Sequence, residues 1–287
     1  MNFISIDVET ANADMSSICQ IGIAEFKDGV FVKGWKSYVN PEDYFDQMNI
    51  SIHGIDEITV TEAPRFPDIT EIISEYFISH ICVCHTHFDR VSIIKAFEKY
   101  EIEPPVIKWL DSALVARRTW EQFAYKGYGL KNICDFIGYN FTHHDAFEDA
   151  KASGHIMIAA IEKTGLDIES WLKRVRQPIN ISKSSDSHHI KMNGNPDGPL
   201  YGEVMVFTGA LSIHRNEAVI MAANLGCQVE NSVTKRTTLL VAGDQDIKKL
   251  AGQEKSTKHR KAEELMLQGQ QIRILKESDF KALASLS

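Results

Sequence analysis

Five residues within the first 150 positions of the 287-residue sequence have the types and spacing to act together on a phosphate ester. Asp7 and Glu9 stand two apart in the run NFISIDVE, which puts both side chains on one face of a strand. Asp89 follows the short apolar run ICVC, and Asp149 lies early in the helical stretch from Ala146, with His144 just before it. Gathered carboxylates repel one another and stay ionised together only when cations neutralise them. Their hard oxygen atoms favour Mg2+ or Mn2+. Two such ions about 3.5–4 Å apart clamp an in-line displacement at phosphorus. A nearby histidine, with an ordinary pKa of about 6.5, would take the proton from the attacking water. A second register pairs His143 with Glu148 instead.

Hydrophobic periodicity predicts the elements that must position these residues. Residues 2–9, 18–26 and 30–39 read as strands rich in β-branched and aromatic residues. Lys27-Asp28-Gly29 suits a hairpin turn between the second and third. After this antiparallel meander the pattern becomes helix–strand alternation. Helices are predicted over 67–79, 88–100, 129–137 with Gly138 as C-cap, 146–163 and 168–175, and short buried strands over 81–84 and 107–110. This order predicts an α/β fold with helices packed on a mixed sheet.

Residues 177–200 are rich in Ser, Asn, Pro and Gly and read as a flexible linker, with His188-His189 solvated inside it. Order resumes with strands over 227–229, 238–242 and 272–275, preceded by one in GEVMVFTGAL, and helices over 215–225, 257–268 and 277–284. The expected division is 1–175, a linker at 176–200, and a small α/β domain with a four-stranded sheet over 201–287.

Net charge divides along the same line. The first 175 residues carry −11 and the remainder +3, within a total of −8. An acidic first part is expected if carboxylates hold cations that in turn attract phosphate. The cysteines, Cys19, Cys82, Cys84, Cys134 and Cys227, include no CxxC pair and lie mostly in apolar runs. They read as buried reduced thiols, which suits a cytoplasmic location. MNFISIDVET has no basic leader, and no apolar run approaches the length of a membrane span.

Three motifs carry a family resemblance. SIDVET resembles the first motif of the DnaQ-like (DEDDh) 3′–5′ exonucleases, CHTHFDR the second and HHDAFEDA the third, in the same order. HGIDEITVTEAP and WLDSALVAR resemble the segments between them, so the likeness covers residues 1–165. It implies an RNase H-like mixed sheet. It also implies that Asp7 contacts two divalent cations, Glu9 and Asp149 hold the one carrying the attacking water, and Asp89 supports the other. His144 is the implied general base, because Asp149-Ala150 matches the family pattern, and Thr10 contacts the terminal nucleotide. The family's usual Gly after the Thr is Ala11 here, and its usual Asn in the second motif is Thr86. These departures bear on loop geometry and nucleotide fit rather than on metal binding. His85 and His87 are expected to play structural parts.

GEVMVFTGAL, ANLGCQVENSVTKRTTLLVAGD and KHRKAEEL resemble a BRCT domain of the kind found in NAD-dependent DNA ligases. This implies a four-stranded parallel sheet. It also implies a phosphate cradle from Thr208, Gly209 and either Lys258 or Lys261, unless Thr-Gly is only a turn and the lysines a solvated face. The cations Lys248, Lys249, Lys255, Lys258, Arg260 and Lys261 would add salt-dependent attraction to DNA. The expectation is a two-metal exonuclease acting on DNA 3′ ends in repair or replication proofreading, tethered by the BRCT-like part to DNA ends or to a repair or replication protein. RNA is the alternative substrate, since the 2′-OH rather than the metal ligands tells the sugars apart. A non-catalytic scaffold would be expected to lack an acid, and none is missing.

Overall fold

The computed structural model describes residues 1–78, 80–179, 194–243 and 256–285. Most of the predicted linker, His188 and His189, and Lys248, Lys249 and Lys255 lie outside the described residues. The chain divides into two compact units, one holding Met1–Ala11, Met15–Phe45 and Asn49–Ser184, the other built on Ser185–Ser287.

In the first unit, β1 (Phe3–Thr10), β2 (Ile18–Lys27) and β3 (Val30–Tyr38) form the antiparallel meander. The strands β4 (Ile81–Cys84) and β5 (Lys108–Asp111) add in parallel, giving the order β3-β2-β1-β4-β5. The helices are α1 (Gln47–His53), α2 (Phe66–Phe77), α3 (Phe88–Lys99), α4 (Ser112–Thr119), α5 (Leu130–Ile137), α6 (Ala146–Thr164) and α7 (Ile168–Arg174). Each face of the sheet has its own core. Ile4, Ile6, Ile21 and Ile23 meet Ile69, Ile73, Ile93 and Phe97 of α2 and α3. Phe3, Ala24 and Phe26 meet Ala150, Ile156, Met157 and Ala160 of α6.

The mixed α/β sheet is the one the periodicity predicts. Two helices add to that reading. WLDSALVAR is split between a strand and a helix, because the Asp111 carboxylate accepts hydrogen bonds from the N–H groups of Ala113 and Leu114 and starts α4. The other addition, α1, is only seven residues long, too short to display a helical period.

Helix α6 approaches the sheet closely enough to exclude a side chain. A Cβ on Gly22 would lie 2.4 Å from the backbone of Ala146 and Phe147, and one on Gly154 would lie 2.2 Å from the Phe26 ring. Asp145 caps the helix, accepting from the N–H groups of Phe147 and Glu148, and Lys36 Nζ lies 2.8 Å from its other oxygen. Burial pushes the Asp145 carboxyl up, but the Lys36 hydrogen bond and the backbone N–H groups outweigh it and hold the group below the ordinary carboxylate value.

The second unit is a four-stranded, wholly parallel sheet of order β7-β6-β8-β9, from β6 (Val204–Thr208), β7 (Gln228–Glu230), β8 (Leu239–Ala242) and β9 (Arg273–Lys276). It carries α8 (Arg215–Asn224), α9 (Thr257–Leu267) and α10 (Glu277–Ser285). One core joins Val206 and Leu240 to Ala262, Leu265 and Ile272. All five cysteines are buried and unbridged, and no described helix is long and apolar enough to cross a membrane.

Two stability outcomes follow from the seating of α6. Gly22→Ala sets a methyl against backbone that cannot yield, so urea denaturation should show a loss of about 1–3 kcal/mol. Asp145→Ala removes a cap and should cost about 0.5–2 kcal/mol at pH 7. Because folding depresses the Asp145 pKa, its contribution is full above the unfolded value of about 3.9 and is lost as pH falls through the folded value. The gap between wild type and Asp145→Ala should therefore narrow on going from pH 7 to pH 3; a gap that widens would contradict the assignment.

Candidate active site

Along β1, side chains 3, 5, 7 and 9 share the face that α6 covers, and they pass from core to chemistry. Phe3 stacks on Phe26 at 4.9 Å. Ser5 Oγ donates to the Ala150 carbonyl at 2.6 Å. Asp7 and Glu9 come next, paired across the ladder with Gly22 and Gln20, and a β-bulge follows Glu9. From β2, Gln20 Oε1 accepts the N–H of Ala146, the first residue of α6, at 2.8 Å. The first turns of α6 are thus fixed by Gln20 at residue 146 and by Ser5 at residue 150, with Asp149 between them.

Asp7, Glu9 and Asp149 each offer a carboxylate oxygen, and these lie within 4.8 Å of one another. Three carboxylates so close repel strongly without a counter-charge, and an all-oxygen set suits Mg2+ or Mn2+. The donor set therefore fits the implied cations. Asp89, in the first turn of α3, is buried and accepts the N–H of Val8 at 3.3 Å, between the two β1 acids. Among the described residues it joins no group of three such ligands.

Both histidines of HHD reach Asp149, in different ways. The His144 backbone N–H donates to Asp149 Oδ2 at 3.1 Å, from a residue at φ +67°. His143 Nδ1 faces both carboxylate oxygens at 3.1 and 3.2 Å. The two imidazoles stack at 3.9 Å, 12° from parallel. Asp149, His143 and His144 form a second group with ligand atoms within 4.8 Å. Glu148, the acid of the other register, instead pairs with Lys151 at 2.6 Å.

The loop between β4 and α3 is braced from behind. Thr86 sits at φ +74°, a left-handed conformation in which a β-branched residue is strained. Its N–H donates to Asp111 Oδ1, and its carbonyl accepts from Cys84 Sγ at 3.0 Å. His87 Nδ1 lies 3.2 Å from Asp111 Oδ2. Burial pushes the Asp111 carboxyl up, yet His87 and the neighbouring donors hold it below its ordinary value. His85 bridges Ser112 Oγ and the Tyr128 carbonyl, and burial pushes its pKa down. Thr10, at the strand end, has its carbonyl held by Asn49 Nδ2 at 2.7 Å and His53 Nε2 at 3.2 Å, both on α1.

In the second unit, Gly209 has φ +71° and Thr208 Oγ1 is 2.7 Å from Ser256 Oγ. Lys258 Nζ donates to the Phe207 carbonyl, which Arg215 shares while also bonding the Gly209 carbonyl. Burial pushes the Lys258 pKa down, with Arg215 adding to the effect. Lys261 pairs instead with Glu264. Arg215, like Ser5, Gln20, Asn49 and His53, is not singled out by sequence motifs. For Gln20 a signal exists: it is a polar residue inside a strand whose neighbours are all buried.

Comparison with known proteins fits this arrangement. The family model described as Exonuclease matches residues 4–157, and that described as BRCA1 C Terminus (BRCT) domain matches 195–283. A PolC-type DNA polymerase III from Caldanaerobacter subterraneus subsp. tengcongensis is 29% identical over 232 residues, 78% of this chain and 15% of the polymerase. A DNA ligase from Zymomonas mobilis subsp. mobilis is 53% identical over 47 residues, 16% of this chain and 6% of the ligase. The chain thus spans a small part of the curated relatives it matches. A 3′-exonuclease solved in 3′-end-specific recognition of a histone mRNA stem-loop superposes with a TM-score of 0.50 at 14% identity, over 57% of this chain and 82% of that one; this likeness bears on the fold alone. With residues 4–157 matching one family model, over the strands and helices that carry the four acids, the chain belongs to the exonuclease family.

Proposed function

We propose that the protein is a two-metal-ion 3′–5′ exonuclease that releases nucleoside monophosphates from DNA 3′ ends, in repair or replication proofreading. The observation that carries this reading is the convergence of Asp7, Glu9 and Asp149 within 4.8 Å, beside two imidazoles. Asp7, Glu9, Asp149 and Asp89 would hold Mg2+ or Mn2+, which supplies positive charge for the developing oxyanions and makes water more acidic. His144 receives the proton of the attacking water, and its own backbone N–H orients Asp149. Thr10, at the end of the same strand as Asp7 and Glu9, contacts the terminal nucleotide. A DNA substrate is favoured because the relatives are a DNA polymerase and a DNA ligase. A cytoplasmic setting suits the five unbridged cysteines.

In this reading residues 1–175 are the catalytic domain, 176–200 a linker and 201–287 the BRCT domain; the two family models match residues 4–157 and 195–283, the second beginning inside the proposed linker. The BRCT part engages DNA ends or a repair or replication protein. Its turn at Thr208 and Gly209, with Lys258, offers a hydroxyl, a backbone turn and an ammonium for a phosphate. Lys261 would serve only by leaving Glu264.

The assignment is checked by hydrolysis of matched DNA and RNA oligomers. Activity should require Mg2+ or Mn2+ and vanish in EDTA, and the DNA oligomer should be the better substrate. Asp7→Ala or Asp149→Ala should abolish turnover while leaving the far-ultraviolet circular dichroism unchanged, since each removes a ligand and also relieves repulsion. His144→Ala should lower kcat by about 10²–10⁴-fold and His143→Ala by less; the reverse order would move the base to His143.

A further inference from the structure

We infer that His143, His144 and Asp149 form a site for a late first-row transition ion of the Zn2+ class, and that occupying it inhibits the enzyme. The inference rests on the reading that Asp149 is a ligand of the catalytic cations. His143 belongs to no part of the proposed reaction, yet its Nδ1 lies 3.1 Å from Asp149 Oδ1 and its ring stacks on His144. Each of the three residues offers a ligand atom within 4.8 Å of the others.

The two ligand groups meeting at Asp149 differ in chemistry. Asp7, Glu9 and Asp149 present only oxygen, which suits Mg2+ and Mn2+. The other group presents two imidazole nitrogens and one carboxylate, a donor set that suits Zn2+ and its neighbours, and divalent affinity for nitrogen ligands rises along the first row toward copper. An imidazole lone pair lies in the ring plane, so one ring must turn out of the 12° stack for both to reach one ion. Both residues are partly exposed, which leaves room for that turn. An ion held there engages Asp149 and the His144 ring together. It thereby withdraws a ligand from the oxygen cluster and the base from the water, without entering the Asp7–Glu9 side.

Zn2+ titration calorimetry on the full chain, in millimolar Mg2+, separates the two sites. Wild type should bind one Zn2+, and Asp7→Ala should bind it with an affinity within about threefold, because Asp7 belongs only to the oxygen cluster. His143→Ala and the polar replacement His143→Asn should each weaken binding by about tenfold or more. In parallel, the Zn2+ concentration that halves each variant's own Mg2+-supported hydrolysis should rise by the same factor for the His143 variants. Co2+ in place of Zn2+ should give a visible absorption band in wild type and Asp7→Ala that is lost in His143→Asn. Undiminished Zn2+ binding by both His143 variants, or its loss in Asp7→Ala, would overturn the inference. Absence of any Mg2+-supported hydrolysis would count against the catalytic reading instead, while leaving the calorimetric result to stand on its own.

Discussion

The seating of α6 on the β1–β2 ladder is the constraint on which the site depends. Three local features achieve it: the Gln20 amide oxygen on the Ala146 N–H, the Ser5 hydroxyl on the Ala150 carbonyl, and the missing side chain at Gly22 that lets backbone meet backbone. Both hydrogen bonds are buried, where leaving either partner unsatisfied costs about 1–3 kcal/mol. They hold the helix in register with the strand to within a residue, and on that register Asp149 faces Asp7 and Glu9. A slip of one helical residue would turn it away by about 100°.

The acid cluster is itself a source of instability, and the surrounding structure compensates for it. Behind β4 and α3, Asp111 gathers the N–H groups of Thr86, Ala113 and Leu114 and faces His87, so one buried carboxylate braces a helix start and a strained turn together. The left-handed Thr86 is an expensive choice where asparagine or glycine would sit without strain. Its N–H and carbonyl are both engaged, which is how such a residue persists. On the other flank, α1 fixes the Thr10 carbonyl and so ends the strand that bears the first two acids.

Most of the fold was legible in the residue pattern. The meander, the later parallel strands and the long helix from Ala146 follow from period-2 and period-3.6 apolar spacing, and the ICVC strand begins and ends where the pattern puts it. The helix at 112–119 was obscured because its start is set by a side-chain cap inside a motif that otherwise reads as strand. The types of residue in the acid cluster were legible too, because clustered carboxylates have few other uses. What one-dimensional spacing does not carry is which partner each side chain meets. His143 and His144 are equivalent neighbours in the sequence, and the left-handed backbone at His144 sends its N–H to the carboxylate that the His143 ring also faces. Likewise Lys258 and Lys261 differ only by their place on α9, one reaching the Phe207 carbonyl and the other Glu264.

The bond between Ser5 and Ala150 spans 145 residues of sequence. Contacts of such long separation close a large loop and form late in folding, after local helices and hairpins. During synthesis the meander can form early, but its two acids gain no third partner until α6 has emerged, after the rest of the sheet. A nascent chain therefore carries no assembled acid cluster for most of the time it takes to make this domain. Any partly folded form that frees α6 separates Asp149 from Asp7 and Glu9, so the integrity of the fold and the assembled acid cluster are lost at the same step.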